Sequence, residues 1–122
     1  MATIRYLVGD VERSVAFYTI NLGFRLDQNM APAFARVSQG DLTLWLAGPQ
    51  SSAARPMPDG RHPEPGGWNR LVIELEDIET RVEEMKSAGL GFRNEVVKGP
   101  GGKQILLEDP DGNVVELFEA AR

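Results

Sequence analysis

The residues best suited to chemistry in this chain are three acids, Glu74, Asp109 and Glu116, and two arginines, Arg5 and Arg70. Two carboxylates can act as a general acid and base or bind a divalent ion. Arginine keeps its charge and offers a planar fork of donors to a carboxylate or a phosphate. These residue types allow catalysis or anion binding, and sequence spacing alone sets neither their pKa values nor their separation.

Other reactive side chains are scarce. The chain has no cysteine, which excludes disulfides, thiol catalysis and thiolate metal sites. The single histidine, His62, lies among charged residues and prolines, and is interpreted as a solvated surface residue rather than a catalytic one. Asp109 is typical of a turn and Glu74 of a solvated or ion-paired strand residue. Metal-free acid and base catalysis by these acids is therefore the weaker interpretation.

The elements that position these residues follow one pattern that occurs twice. Residues 3–8 alternate like a strand, and Asp10 opens a segment with apolar residues at helical spacing that ends at Gly23. The same order begins again at Leu71, and Asp77 stands 67 residues after Asp10. The strands after each helix are expected at 24–28, 33–39 and 42–47, and at 92–98, 103–108 and 113–119. The sequence therefore predicts an α+β fold of two β-α-β-β-β repeats, over about 3–47 and 68–119.

Residues 48–67 separate the two repeats and hold five of the eight prolines. No helix or central strand accommodates that composition, so the segment is predicted to be a loop. A connection of this length is either a plain linker or a binding loop. Our hypothesis is that it borders a ligand cleft, with Trp68 at its exit as an aromatic wall.

Composition excludes several partners. The chain has 122 residues, 42% of them hydrophobic, and no apolar run near the roughly 18 residues that span a bilayer, so we expect one domain, 1–122, without a membrane partner. A net charge of −5 without a basic run argues against nucleic acid. The first strand pattern begins almost directly after Met1, so we expect no signal peptide and a cytoplasmic location.

Two motifs carry a resemblance to a known family. Residues 10–18 read Asp-Val-Glu-Arg-Ser-Val-Ala-Phe-Tyr and are followed by Leu22-Gly23-Phe24, and residues 109–117 read Asp-Pro-Asp-Gly-Asn-Val-Val-Glu-Leu. Together with the repeat, they resemble the vicinal oxygen chelate superfamily, which includes glyoxalase I, bleomycin-resistance proteins and extradiol dioxygenases. The resemblance implies a curved mixed-sheet cleft and, for a chain with a single module, a homodimer.

Metal-dependent members of that family bind a divalent ion with one residue near the start of each first strand and one on each last strand. Carried over to this chain, the resemblance places those positions at Thr3, Arg70, Leu44 and Glu116. Only Glu116 matches the family's carboxylate, and an arginine puts a fixed positive charge beside a cation. We therefore expect no metal and no other cofactor, which argues against glyoxalase and ring-cleaving chemistry.

Strand alternation and the loop assign a largely apolar cleft wall with a few charges, which is typical of a small-molecule site. The residues assigned to it are Thr3, Arg5, Leu44, Trp68, Arg70, Glu74, Glu116 and Phe118. The leading hypothesis is a metal-free protein that sequesters a small molecule, in the manner of the bleomycin-resistance subgroup. The alternatives are a divalent-metal lyase or dioxygenase with atypical ligands, and a dimeric scaffold whose cleft is filled by its own side chains.

The charges in this wall have two possible roles. Arg5 and Arg70 can form an anion-selective end, in which case the ligand is apolar with one acidic group. Alternatively, Arg70 and Arg5 pair internally with Glu116 and Glu74, because an unpaired buried charge is costly, and they leave nothing for a ligand. The sequence leaves both roles open.

Overall fold

The computed structural model describes residues 2–122. The chain divides into two compact units, one that ends at Gly66 and one that begins at Gly67. Each unit holds one β-α-β-β-β repeat, so the predicted α+β class and the double repeat are confirmed. That the repeats form one domain with a shared cleft stays a prediction. No helix within residues 2–122 is both long enough and apolar enough to cross a bilayer.

The first unit is a four-stranded mixed sheet with one helical segment. Its elements are β1 (Ile4–Leu7), α1 (Val11–Ala16), a π-helical turn (Phe17–Asn21), β2 (Arg25–Met30), β3 (Phe34–Gln39) and β4 (Leu42–Ala47). The sheet order is β1-β4-β3-β2, with β1 parallel to β4 and the other pairs antiparallel. A short 3₁₀ turn, Ser52–Ala54, interrupts the proline-rich loop.

The first helical segment begins and ends where the sequence predicts. The Asp10 carboxylate accepts a hydrogen bond from the Arg13 amide at 3.2 Å and so caps the first turn. Gly23 follows the segment with a φ of 72°, a left-handed conformation that favours glycine. In the π-helical turn between them, Phe17 and Tyr18 are both buried and their rings meet edge to face at 5.0 Å.

The second unit repeats this arrangement with a divided second strand. Its elements are β5 (Arg70–Glu74), α2 (Ile78–Ser87), β6 (Gly91–Phe92), β7 (Val97–Gly99), β8 (Gly102–Glu108) and β9 (Val114–Ala120). The sheet order is β5-β9-β8-β6, and β7 pairs with β8 beyond β6. The first and last strands, β5 and β9, are parallel, as β1 and β4 are in the first unit.

The strand expected over 92–98 is interrupted between β6 and β7. At the interruption the Asn94 side chain accepts a hydrogen bond from the Leu106 amide at 3.0 Å, in place of a backbone carbonyl. The Arg93 amide still bonds to the Leu106 carbonyl at 2.9 Å. The edge of the sheet is therefore held by a side chain where regular pairing stops.

The ends of α2 also differ from those of α1. Asp77 precedes the helix but makes no capping hydrogen bond with its side chain, and the Glu119 carboxylate accepts from the Ile78 amide at 2.8 Å instead. The left-handed glycine after α2 is Gly89, with a φ of 88°, whereas Gly91, the sequence match to Gly23, lies in β6. A cap from a distant strand has thus replaced a local one.

In each unit the helix packs against one face of the sheet, and that face holds most of the core. α1 contacts β3 and β4. The side chains buried on that face include Tyr6, Val37, Leu44 and Leu46. α2 contacts β9 and buries the stripe that its sequence spacing predicts, Ile78, Val82 and Met85. The opposite face of each sheet is left for other roles.

We expect Gly48→Ala to destabilise the protein. Gly48 follows β4, and a Cβ there would overlap the Pro32 carbonyl oxygen and lie 2.9 Å from Val11 Cγ2. The backbone must shift to admit the methyl group, at a cost on the order of 1–3 kcal/mol. Urea denaturation should show this loss for G48A but not for the control Gly91→Ala, where a Cβ meets nothing within 4 Å. Equal stability of the two variants would contradict the close contact.

Candidate functional site

On the first sheet, the face opposite α1 carries an arginine, a tryptophan and a second arginine in one row. Arg5 of β1 and Arg36 of β3 are both cross-strand partners of Trp45 of β4. The Arg5 guanidinium lies over the indole at 4.9 Å from the ring centroid, and Phe34 meets the same ring edge to face at 5.7 Å. We call Arg5, Trp45 and Arg36 the arginine row. It combines fixed positive charge with aromatic surface.

The assignment of Leu44 to this wall is wrong. Leu44 is fully buried on the face that α1 covers, whereas its neighbour Trp45 pairs directly with Arg5 and shares its face. Sequence reasoning placed Arg5 on the correct face and missed Trp45. Trp45 therefore occupies the place beside Arg5 that was predicted for Leu44.

Unequal turns between the last two strands of each repeat explain this error. Four residues separate the paired Ser38 and Thr43 in the first repeat, whereas five separate the paired Glu108 and Val114 in the second. A shift of one residue moves every side chain of a strand to the other face. Leu44 and Glu116 each lie four residues after a turn glycine, Gly40 or Gly112, and this equal spacing therefore falls on opposite faces of the two sheets.

On the second sheet, four residues assigned to the wall share one face. They are Arg70, Glu74, Glu116 and Phe118. Arg70 Nε donates to Glu116 Oε1 at 3.0 Å, and the Glu116 side chain is only 10% exposed. Of the two internal pairs that the sequence left open, the Arg70–Glu116 pair forms. Arg70 is therefore neutralised and does not offer a free cation to a ligand.

Trp68, the aromatic residue at the end of the proline-rich loop, is 68% exposed. The Arg93 guanidinium lies 4.4 Å from the centroid of its ring. Arg93 also donates to Glu108 Oε2 at 2.9 Å, to the Gly67 carbonyl at 2.8 Å and to the Gly112 carbonyl at 2.9 Å. Through the Gly67 and Gly112 carbonyls, Arg93 thus links the end of the loop to the turn before β9. That Trp68 borders a ligand stays a prediction.

Sequence reasoning missed Arg93, although a signal for it was present. Arg25 and Arg93 each follow a Gly-Phe pair, at corresponding places in the two repeats. Arg25 binds the Asp27 carboxylate at 2.8 Å and Ser38 Oγ at 3.2 Å. Hydrogen bonds from Ser38 and Arg25 lower the pKa of Asp27. Both arginines therefore bridge an edge strand to the strand beside it.

Asp109 is a turn residue, as predicted. It is 5% exposed, and its Oδ1 accepts hydrogen bonds from the amides of Asp111 at 2.9 Å and Asn113 at 2.8 Å. Its Oδ2 accepts from the Asn113 side chain at 3.1 Å. The carboxylate therefore orders the turn between β8 and β9, which accounts for its place in the motif without a catalytic role.

The proline-rich loop borders a pocket of about 320 Å³ in the first unit. The pocket lies between loop residues and the ends of β1 and β4, and its lining includes Leu7, Ala47, Ala54, His62 and Pro63. His62 is exposed, as predicted, and is the one ionisable side chain among the described lining residues. The lining therefore holds one imidazole and no second ionisable side chain that could act with it in acid and base catalysis.

The metal positions implied by the resemblance, with the register corrected, hold Thr3, Trp45, Arg70 and Glu116. Thr3 is exposed just before β1, and the Glu116 carboxylate already accepts from Arg70. No group of three or more His, Cys, Asp or Glu side chains that could hold a metal ion occurs in the described part of the chain. This donor set does not fit a divalent ion, which needs several oxygen or imidazole ligands.

Comparison with known proteins gives a consistent result. A family model described as Glyoxalase/Bleomycin resistance protein/Dioxygenase superfamily matches residues 1–117. A probable lactoylglutathione lyase, chloroplastic, from Arabidopsis thaliana is 27% identical over 98% of this chain, which spans only 35% of that protein. A bleomycin resistance protein from Geobacillus stearothermophilus is 26% identical over 92% of this chain and 90% of its own length. A superfamily member of known structure from Sphaerobacter thermophilus DSM 20745 has a TM-score of 0.74 at 27% identity and covers 98% of each chain.

We expect Arg70→Met to lower stability through the carboxylate it leaves behind. Glu116 is nearly buried, and removal of its hydrogen-bonded cation should cost about 1–3 kcal/mol. Glu116→Gln in the R70M background should recover most of this loss, because the charge is removed together with its partner. Urea denaturation of both single variants, the double variant and the parent measures the coupling. Additive effects of the two substitutions would contradict the ion pair.

Proposed function

The chain belongs to the Glyoxalase/Bleomycin resistance protein/Dioxygenase superfamily, and we propose that it binds and sequesters a small molecule without a metal. The observation that carries this proposal is the set of residues at the family's metal positions. A threonine, a tryptophan, an arginine and one ion-paired glutamate stand there. Lewis-acid chemistry needs an ion held by several donors, and these side chains do not supply them.

The sheet face that carries Trp45, one of these four positions, is suited to binding. The arginine row lies on the sheet face opposite α1 and presents aromatic surface beside two charges, a combination common in small-molecule sites. The relative that matches over most of both lengths is named a bleomycin resistance protein. That name refers to a small molecule, and sequestering of the molecule is what the resemblance to the bleomycin-resistance subgroup implies.

Two other functions remain as alternatives. A divalent-metal lyase or dioxygenase with atypical ligands is favoured by the relative named a probable lactoylglutathione lyase, of which this chain spans 35%. A dimeric scaffold without a ligand is the third possibility, and the homodimer implied by the resemblance stays a prediction. The first alternative requires a bound metal and the second requires no ligand, so both are open to direct measurement.

Metal content and ligand binding together test the proposal. Purified protein should contain no stoichiometric nickel, zinc, iron or manganese, and EDTA should leave its melting temperature unchanged. A thermal-shift screen that includes bleomycin should find compounds that raise the melting temperature equally with and without EDTA. One tightly bound divalent ion per chain, or stabilisation that EDTA abolishes, would favour the lyase. A screen without any stabilising compound would favour the scaffold.

Deletion of residues 51–58 tests whether the proline-rich loop takes part in binding. We expect weaker binding of a compound found in the screen and an intact fold, because this segment contributes Ala54 to the pocket and its backbone hydrogen bonds stay within the loop. Calorimetric titration measures the affinity, and circular dichroism checks the fold. Unchanged affinity would make the loop a linker only.

A further inference from the structure

We infer that the arginine row, Arg5, Trp45 and Arg36, recognises the acidic group of an aromatic ligand. This inference rests on the proposed function and names the ligand class for it. The acidic group is an oxyanion, a carboxylate or a phosphate ester, carried on a flat apolar body.

Among the arginines that lie on strands, the two of the row have guanidinium groups without a carboxylate partner in the described residues 2–122. Neither the Arg5 nor the Arg36 side chain makes an ion pair or a hydrogen bond with another residue in the part of the chain described, 2–122. The other arginines in or beside the sheets, by contrast, each bind a carboxylate: Arg25 at Asp27, Arg70 at Glu116 and Arg93 at Glu108. The charge of Arg36 contributes to lowering the pKa of Asp27, but the Asp27 carboxylate already accepts hydrogen bonds from Ser38 and Arg25.

The position of Arg5 leaves its donors available. The contact with Trp45 is a cation–π contact, which engages no hydrogen-bond acceptor, so the five N–H groups of the guanidinium have no acceptor within the described residues. A planar group held in this way is preorganised for a bidentate bond to an oxyanion. The tryptophan therefore restrains Arg5 without consuming its hydrogen-bonding capacity.

The spacing of the row suits one acidic group on one aromatic body. Adjacent strands lie about 4.8 Å apart, so the backbones of Arg5 and Arg36, on either side of Trp45, are roughly 10 Å apart. Two arginine side chains can converge across that distance on a single oxyanion. The partly buried Phe34 and Leu7 lie on the same face and extend the apolar surface beside the row.

The net negative charge of the chain indicates that the arginine row is a local feature and not part of a generally basic surface. The protein carries a net charge of −5, so it is not a general binder of anions. A local excess of two cations on such a chain selects for a ligand that brings a complementary charge. An uncharged aromatic compound would leave both guanidinium groups without a partner on contact, and this penalty disfavours it.

The test uses matched aromatic probes and the indole signals of the two tryptophans in proton–nitrogen NMR spectra. The probes are 1-naphthylacetate, its uncharged analogue 1-naphthylacetamide, 1-naphthyl phosphate, and inorganic phosphate alone. Trp68→Phe assigns the two signals, so that the response of Trp45 is read separately from that of Trp68. The Trp45 signal should shift with the acid or the phosphate ester and respond much less to the amide.

Substitution of each arginine provides the second readout. Arg5→Gln and Arg36→Gln should each weaken binding of 1-naphthylacetate by roughly 10- to 100-fold, through loss of a charge-assisted hydrogen bond. Arg25→Gln removes the same charge from the same sheet, and should change affinity by less than about twofold because its guanidinium is exposed and held at Asp27. Melting temperatures show whether the variants fold, and the comparison of acid with amide on the parent protein needs no variant.

The outcomes separate this inference from the proposed function. Equal affinity for the acid and the amide would overturn the anion assignment and leave ligand binding intact. A Trp45 response to inorganic phosphate as strong as to the naphthyl ester would overturn the aromatic part. No Trp45 response to any probe at about 5 mM, beyond which affinity is too weak to be specific, would overturn the inference altogether. The thermal-shift screen then decides the proposed function independently.

Discussion

The site depends on one constraint: a strand sends successive side chains to opposite faces, and each helix covers only one face of its sheet. In the first unit the covered face is mainly apolar and buried, as at Tyr6, Leu44 and Leu46. Arg5, Trp45 and Arg36 occupy the other face. A shift of β4 by one residue would place Trp45 in the core and leucines beside Arg5. Burial of leucine under α1 therefore holds the row in register, although no leucine belongs to it.

The two repeats share an architecture but satisfy their charges differently. In the second unit the arginines are engaged, Arg70 by a nearly buried carboxylate and Arg93 by Glu108 and two carbonyls. In the first unit Arg25 is engaged in the same way at the sheet edge, whereas the two arginines beside Trp45 keep their donors. Desolvation explains why the difference matters. The Glu116 carboxylate is nearly buried, so its charge is costly without a partner. Arg5 is exposed, so water solvates its charge when no ligand is bound.

The superfamily fold supports several chemistries, and side chains on the sheet faces decide among them. The positions that hold metal donors in metal-dependent relatives here carry one carboxylate, and that carboxylate is bound to an arginine. Replacement of Trp45 alone with an acid would still leave a threonine and an arginine at two of the four positions. A metal site at these positions would therefore require changes at several of them.

The sequence by itself determined the repeat, the strand order along the chain, the cap at Asp10 and the turn at Asp109, because caps, turns and period-two patterns are local properties of neighbouring residues. It offered an ion pair between Arg70 and Glu116 as one of two roles for this arginine and left both open. Only the tertiary structure decided that Trp45 replaces Leu44, since the register between strands depends on the lengths of two separate turns. It likewise decided that Glu119 caps α2, a contact between residues 41 positions apart. Which arginine stays unpaired is decided in the same way, because a charge is neutralised by whichever carboxylate the folded chain brings within reach.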